Sequence, residues 1–331
     1  MILKDNIKKY KSIVKIYRKI AIFAADLFWG PYILYFRRGG GQRQKPIFCE
    51  CCIYFIGHRF RKVNWGDDLN KYLFEYITGR KFVFIPFRKL SSKQRISHYS
   101  LIGSIIGFYN LDNTIIYGSG IKNPYESISG VPEKIISVRG PKTRDILLKN
   151  GIECPENYGD PALLLPLFYQ PKVKKNGKIA IIPNMGTDVS IVKKWIFKND
   201  ISRNVMIINM TQYSDWKSVI DKIVSCEIVI SESLHGLIVA ETYGIANIWV
   251  EFVKHPNYWN FKYEDYFESI DKKDKIIQLH NEGDIFEILE LAKQWKKSDI
   301  DYCKLLSYFP FELKKNAIVN RQLIDAAKGE K

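Results

Sequence analysis

The chain has 331 residues, 46% of them hydrophobic and 14% aromatic, with 51 Lys/Arg against 35 Asp/Glu for a formal net charge of +16. This composition excludes a disordered or fibrous chain and leaves room for two domains of ordinary size. The charge imbalance points to a polyanionic or membrane-surface partner and says little about fold.

The charge is concentrated at the start. Residues 1–45 hold eleven Lys/Arg and two Asp, so they supply +9 of the total. Within them Leu3, Ile7, Tyr10, Val14, Tyr17, Ala21, Ala24 and Phe28 recur at helical spacing, with Lys4, Lys8, Lys11, Lys15 and Lys19 on other faces. Such a helix lies in the interface of an anionic leaflet, where each basic residue contributes roughly 1 kcal/mol. The apolar run 20–36 is broken by Asp26 and Gly30-Pro31, which argues against a span, and it lacks a secretory cleavage site. Residues 1–45 are therefore expected to be a basic amphipathic, membrane-associating segment contacting an anionic surface through residues 1–40. The alternative is a helix and strand packed on the globular body. No nucleic-acid recognition motif is present, and no nucleic-acid partner is expected.

Beyond the joint "RRGGGQRQKP", the run "IFCECCIYFI" reads as a buried strand. Its Cys49, Cys51 and Cys52, like the scattered Cys154, Cys226 and Cys303, form no CxxC pair with a downstream partner pair, so no metal site is expected. "NWGDDLNKYLFEYITG" follows as a helix, started near Asp67 or Asp68 and stopped by Gly79. "KFVFIP", "SLIGSIIG" and "TIIYGSGI" read as strands. "KIISVRGPKTRDILLKNG" reads as strand, tight turn, and a helix with Pro141 at its start and Gly151 as its cap. The block 164–178, with two prolines and a basic run, marks a boundary. After it "IAIIPN", "NVMIINM", "CEIVIS" and "ANIWVE" are short strands separated by helix-length segments, and the chain beyond Asp284 reads as helical.

Strands alternating with helices mean parallel sheets covered on both faces. The expected fold class is α/β, with two Rossmann-like domains whose sheets face a cleft. The expected division is 1–45, 46–166, 178–283 and 284–331, the last as helices packing back on the first domain. Ligands in such folds sit at the carboxyl ends of the strands.

Two constellations fall at those ends, and a third lies at a loop-to-helix junction. "SESLHGL" opens a helix after "CEIVI", so Ser231 or Ser233 can cap it, and His235 lies in the first turn, where free N–H groups attract an anion. Arg139 follows a strand directly, its fork suited to carboxylate or phosphate. "NWGDDLN" places Asp67 and Asp68 beside Asn64; one acid suffices for capping, leaving the other to accept a hydroxyl proton. The glycine turns "YGSGI" and "YGDPALLLP" have neither P-loop nor GxGxxG spacing.

In this order "NWGDDLN", "YGSGI", "VRGPKTRDIL", "YGDPALLLP", "SESLHGLIVAETYG" with "ANIWVE", and "FKYEDYF" resemble the polysaccharide pyruvyl transferase family, over about residues 46–270. The N-terminal segment falls outside that pattern, and Asn184 stands where the family often has a histidine after "IIP". The resemblance implies a two-domain fold similar to GT-B glycosyltransferases. It also implies phosphoenolpyruvate as donor, no cofactor or metal, and a pyruvate ketal bridging two hydroxyls of a sugar. It makes His235 the candidate general acid and Asp67 or Asp68 the acceptor of the attacking hydroxyl's proton. Arg139, Ser231, Ser233, Leu234, Gly236, Gly118, Ser119 and Asn64 become candidate substrate contacts, with Lys254 and His255 added by position after "NIWVEF". The sugar acceptor is expected to be a polyprenyl-diphosphate-linked oligosaccharide of capsular or exopolysaccharide synthesis. The enzyme would then be cytoplasmic and peripheral on the inner face of the membrane. The competing expectation is a nucleotide-sugar glycosyltransferase of the same architecture, with Glu251 on the ribose hydroxyls.

Overall fold

Runs of β-branched residues bounded by turn residues form two separate parallel sheets. The computed structural model describes residues 44–51, 64–86, 96–274, 276–279 and 284–329, with four further positions between 34 and 41. The basic segment expected at residues 1–45 lies almost wholly outside the described residues, as does Cys52.

The first sheet has strands β1 (Ile47–Cys51), β2 (Phe82–Pro86), β3 (His98–Ser100), β4 (Thr114–Tyr117) and β5 (Lys134–Ser137), in the order β2-β1-β3-β4-β5. Its helices are α1 (Trp65–Thr78) and α2 (Pro141–Lys149). A 3₁₀ turn (Pro161–Leu164) and the short α3 (Leu165–Phe168) lead, fully buried, toward the second sheet. There β6 (Ile179–Ile182), β7 (Val205–Ile207), β8 (Ile228–Ser231), β9 (Ala246–Glu251) and β10 (Ile277–Gln278) run in the order β10-β9-β8-β6-β7. The helices of this half are α4 (Val189–Lys198), α5 (Trp216–Ser225), α6 (Leu234–Thr242), α7 (Phe261–Glu268) and α8 (Ile285–Gln294), followed by α9 (Tyr302–Ser307) and α10 (Gln322–Gly329).

The protein is thus α/β, with two Rossmann-like units. Strand order reverses between β1 and β3 in one sheet and between β6 and β8 in the other. Those reversals are where such sheets bind ligands, because the loops leaving adjacent strands diverge.

Two sequence expectations need correction. "SLIGSIIG" is not a strand: β3 is "HYS", which shares only Ser100 with it, and residues 101–107 are irregular, with Gly103 and Gly107 at positive φ and one isolated bridge at Ile106. The chain beyond 284 is only partly helical. Its irregular stretch 308–321 carries Phe309 and Phe311 onto Phe74, Phe82, Tyr99 and Tyr117 of the first unit, at ring separations of 4.7–6.1 Å. The local sequence there has no helical period. Its aromatic residues are held by burial in a distant core instead, at 0.5–1.5 kcal/mol per ring pair beyond area.

Helix α6 is buried on all sides, which suits its "LHGLIVAET" sequence, apolar around the whole circumference. Its one internal acid, Glu241, is fully buried and compensated by Lys272 at 2.7 Å and the Ser298 N–H at 2.7 Å. A helix so fixed holds its first turn rigidly against the first unit.

Candidate active site

Both reversal points deliver a helix N-terminus, and the two meet. Helix α6 follows β8 and brings His235; α1 follows β1 and brings Gly66, Asp67 and Asp68. The His235 ring lies directly on Gly66: a methyl group there would stand 2.0 Å from Nδ1 and 2.5 Å from Cε1. Glycine is required at position 66 for this approach, although its φ is ordinary.

On its other nitrogen, His235 faces Asp160, with Nε2 at 3.8 Å from Oδ2. Neither atom has a hydrogen-bond partner among the described residues. The other oxygen of Asp160 accepts the Ala162 N–H at 2.9 Å, capping the 3₁₀ turn and fixing the carboxylate. Burial, then the Arg139 and Lys262 charges, push His235 down to about 3, so its imidazole is neutral. Burial pushes Asp160 up to about 6. An anion bound here would reverse the balance on His235, because a neighbouring negative charge favours imidazolium.

The two acids of "NWGDDLN" separate. Asp68 is buried and accepts the Tyr213 hydroxyl of the second unit. Among the described residues the Asp67 carboxylate accepts the Asn64 side-chain amide, at 3.1 Å, and it stays half-buried beside Gly103. Burial is the main reason its carboxyl rises to about 7. The helix starts at Trp65 with Asn64 as N-cap, so both acids lie in its first turn, near the start as expected.

Arg139 was expected to project toward a ligand; the structure places it fully buried. Its Nε and Nη2 meet Asp265 Oδ2 at 2.9 Å, Nη2 donates to the Ile121 carbonyl at 2.7 Å, and Nη1 to Ser104 Oγ at 2.5 Å. Asp265 also accepts the Thr143 N–H and hydroxyl, each at 2.7 Å. It thereby caps α2 from the opposite unit, and α2 has no side-chain cap of its own at Gly140. Gly120 and Gly140 leave the room: a methyl group would stand 2.4 Å from the Arg139 guanidinium carbon and 1.8 Å from the Asp265 carbonyl oxygen, respectively. Arg139 thus ties the two units together and casts its charge on the site.

The remaining sequence candidates divide similarly. Ser231 is buried and spends its hydroxyl on its own turn, accepting from the Ser233 N–H and donating to the Ser233 carbonyl. Ser233 is the N-cap of α6 but makes no cap hydrogen bond, so the first turn of Leu234, His235 and Gly236 keeps open N–H groups. Gly236 gives space to Ser231 Oγ. Gly118 packs on Pro161 at φ 79°, and Ser119 is buried against Ser100 Oγ at 2.7 Å. His255 is held by Glu232 at 3.2 Å and stacks on Trp259 at 4.4 Å. Lys254 is not brought to His235; it lines a surface groove with Lys194, Lys198 and Trp195. Glu251 is buried and accepts the His255 N–H at 2.7 Å. Asn184 donates its backbone N–H to Glu232 at 3.1 Å and its side chain orders the following turn.

Lys262 was not singled out from sequence. It is buried, lies over Trp259 at 4.0 Å and Tyr263 at 4.8 Å, and has no carboxylate within ion-pair distance among the described residues. Burial, then Lys122 and Arg139, pull its ammonium down to about 7. A buried cation without a counter-ion is costly unless a ligand supplies one. Asp160 and Asp265 were missed as well, since "YGDP" and "FKYEDYF" offer no local sign that a carboxylate faces another unit.

A family description, polysaccharide pyruvyl transferase, matches residues 4–255. The chain belongs to the polysaccharide pyruvyl transferase family. Membership makes it an enzyme of pyruvyl transfer in polysaccharide biosynthesis, with a saccharide acceptor. An uncharacterized protein of Acanthamoeba polyphaga mimivirus is 29% identical over 202 residues, which are 60% of this chain and 67% of that protein. The match begins at residue 4, so the basic N-terminal segment is inside the family pattern and not outside it as expected. It ends before "FKYEDYF", the segment that carries Lys262 and Asp265. Among the described residues, no helix is long and apolar enough to cross a membrane.

Proposed function

We propose that the protein transfers pyruvate from phosphoenolpyruvate to two hydroxyls of a hexose, giving a cyclic ketal and phosphate. The observation that carries this is the meeting of His235 with Gly66 and Asp160, with Asp67 next along the helix and the buried Lys262 casting its charge on both. Donor anions are held by Lys262, Ser233 and the open first turn of α6, within the field of Arg139. The sum of the reaction is redox-neutral and takes up or releases no water, so it requires no redox cofactor.

Charged by the bound donor, His235 gives its proton to the methylene carbon, and the adjacent carbon becomes oxocarbenium-like. The first sugar hydroxyl attacks that carbon and loses its proton to Asp67, which returns it to His235. The second hydroxyl displaces phosphate, and its proton leaves with the phosphate. Asp160 is a positioning residue that orients the His235 ring and stabilises imidazolium. General acid–base assistance of this kind is worth ~10²–10⁴-fold.

The acceptor in this proposal is a polyprenyl-diphosphate-linked oligosaccharide of capsule or exopolysaccharide synthesis, reached at the membrane surface through residues 1–40. Attachment would raise the local concentration of enzyme and acceptor together. The test is incubation of the purified protein with phosphoenolpyruvate and a panel of free and lipid-linked hexosides. Stoichiometric phosphate release and an acceptor mass gain of pyruvic acid less water are expected. Absence of both, or transfer from UDP- or GDP-sugars instead, refutes the proposal.

A further inference from the structure

Next to the Lys262 site the two units present aromatic side chains to solvent. Tyr125 is 82% exposed, and Tyr258 and Phe108 are each 41% exposed. Tyr125 belongs to the first unit and Tyr258 to the second, yet their rings meet edge to face, 6.2 Å apart at 86°. Lys122 reaches between them and the site, 5.7 Å from the Phe108 ring and 5.5 Å from that of Trp259. Trp259 therefore carries two ammonium groups, Lys122 from one unit and Lys262 from the other. Like Lys262, Lys122 has no ion-pair partner among the described residues.

The loop that presents Tyr125 and Lys122 is ordered by a carboxylate. Glu126 accepts the Lys122 N–H at 3.3 Å and the Asn123 amide at 3.0 Å, and its side chain fills the space beside Gly107. Isolated exposed aromatic residues need no explanation. Three of them on a built loop and a facing turn, with Lys122 and Lys262 behind, form an amphipathic surface. Two rings at a right angle offer a wall and a floor for the C–H face of a pyranose, and the lysines offer donors for its hydroxyls. The surface is continuous with the chemistry, because Lys262 bridges from Trp259 toward Asp67 and His235.

We infer that Tyr125, Tyr258 and Phe108, with Lys122, form the subsite that seats the acceptor hexose across the two units and directs its hydroxyls at Asp67. This inference rests on the pyruvyl-transfer proposal for its acceptor, and its test separates the two. Saturation-transfer NMR on the full chain, without phosphoenolpyruvate, uses the methyl glycosides of glucose, galactose and mannose as probes. The wild type is expected to give ring C–H signals with at least one probe, and Tyr125→Ala/Tyr258→Ala to lose them while keeping its thermal midpoint. With the acceptor identified by turnover, each single alanine variant should raise the acceptor KM about tenfold, the equivalent of 1.4 kcal/mol, and Tyr258→Phe should restore it. The KM for phosphoenolpyruvate should stay within twofold of wild type. The subsite is overturned if no probe gives a signal with the wild type, or if the double variant keeps the signals. It is equally overturned if the variants lower kcat with both KM values unchanged, since the rings would then only clasp the units. Glycoside signals without phosphate release would sink the pyruvyl-transfer proposal and leave the saccharide subsite standing.

Discussion

Gly66→Ala separates packing from chemistry at the His235 contact. The added methyl would start 2.0 Å from Nδ1, where ordinary contact begins near 3.4 Å, so the ring must retreat by about 1.4 Å. Overpacking of this kind costs ~1–3 kcal/mol. Alanine in a helical turn returns up to ~1 kcal/mol relative to glycine. The net destabilisation should therefore be roughly 0–2 kcal/mol, small enough for the protein to remain folded. The displaced ring, however, leaves the line from Asp160 through His235 to the donor. A misplacement near 1 Å can cost about 10²-fold in rate, so kcat should fall by about that factor with thermal stability nearly unchanged. The assay is urea unfolding alongside phosphate release from phosphoenolpyruvate. A Gly66→Ala protein that is more stable than wild type and equally active would refute the assignment of His235 to the chemistry.

Acidity should set a bell-shaped rate. Asp67, raised to about 7 by burial, must lose its proton to act as base, and Lys262, lowered to about 7, must keep its proton to bind anions. In the free enzyme kcat/KM should therefore rise toward pH 7 and fall above it. Asp67→Asn should lower kcat by about 10²-fold or more, and Lys262→Met should raise the KM for phosphoenolpyruvate; an unchanged KM in Lys262→Met would refute that role. Asp265→Asn removes the only carboxylate paired with buried Arg139 among the described residues and should destabilise the protein by ~3–5 kcal/mol in urea unfolding, a loss below 1 kcal/mol refuting the tie between the units.

Local pattern carried far in this protein. Parallel strands were legible in "IAII", "EIVIS" and "ANIWVE" because a strand buried on both faces must be apolar throughout. The helix start at "SESLHGL" was legible because serine, a free first turn and an apolar run are local signals. The strand "HYS" and the aromatic tail at Phe309 and Phe311 were not. Their pairing is decided by neighbours far along the chain, and neither shows a period of its own.

The site was legible in part for the same reason. Sequence by itself placed His235 just after a strand and Asp67 at a loop-to-helix junction, since both are local signals. Tertiary structure alone decided that Arg139 turns inward to Asp265, that Ser231 closes on its own turn, and that Asp68 is taken by Tyr213. It alone raised Lys262, Asp160 and Asp265 to importance. A charged side chain's part depends on which opposite charge lies within a few ångströms and on how much water is excluded, and both are set by residues more than 100 positions away, as with Arg139 and Asp265.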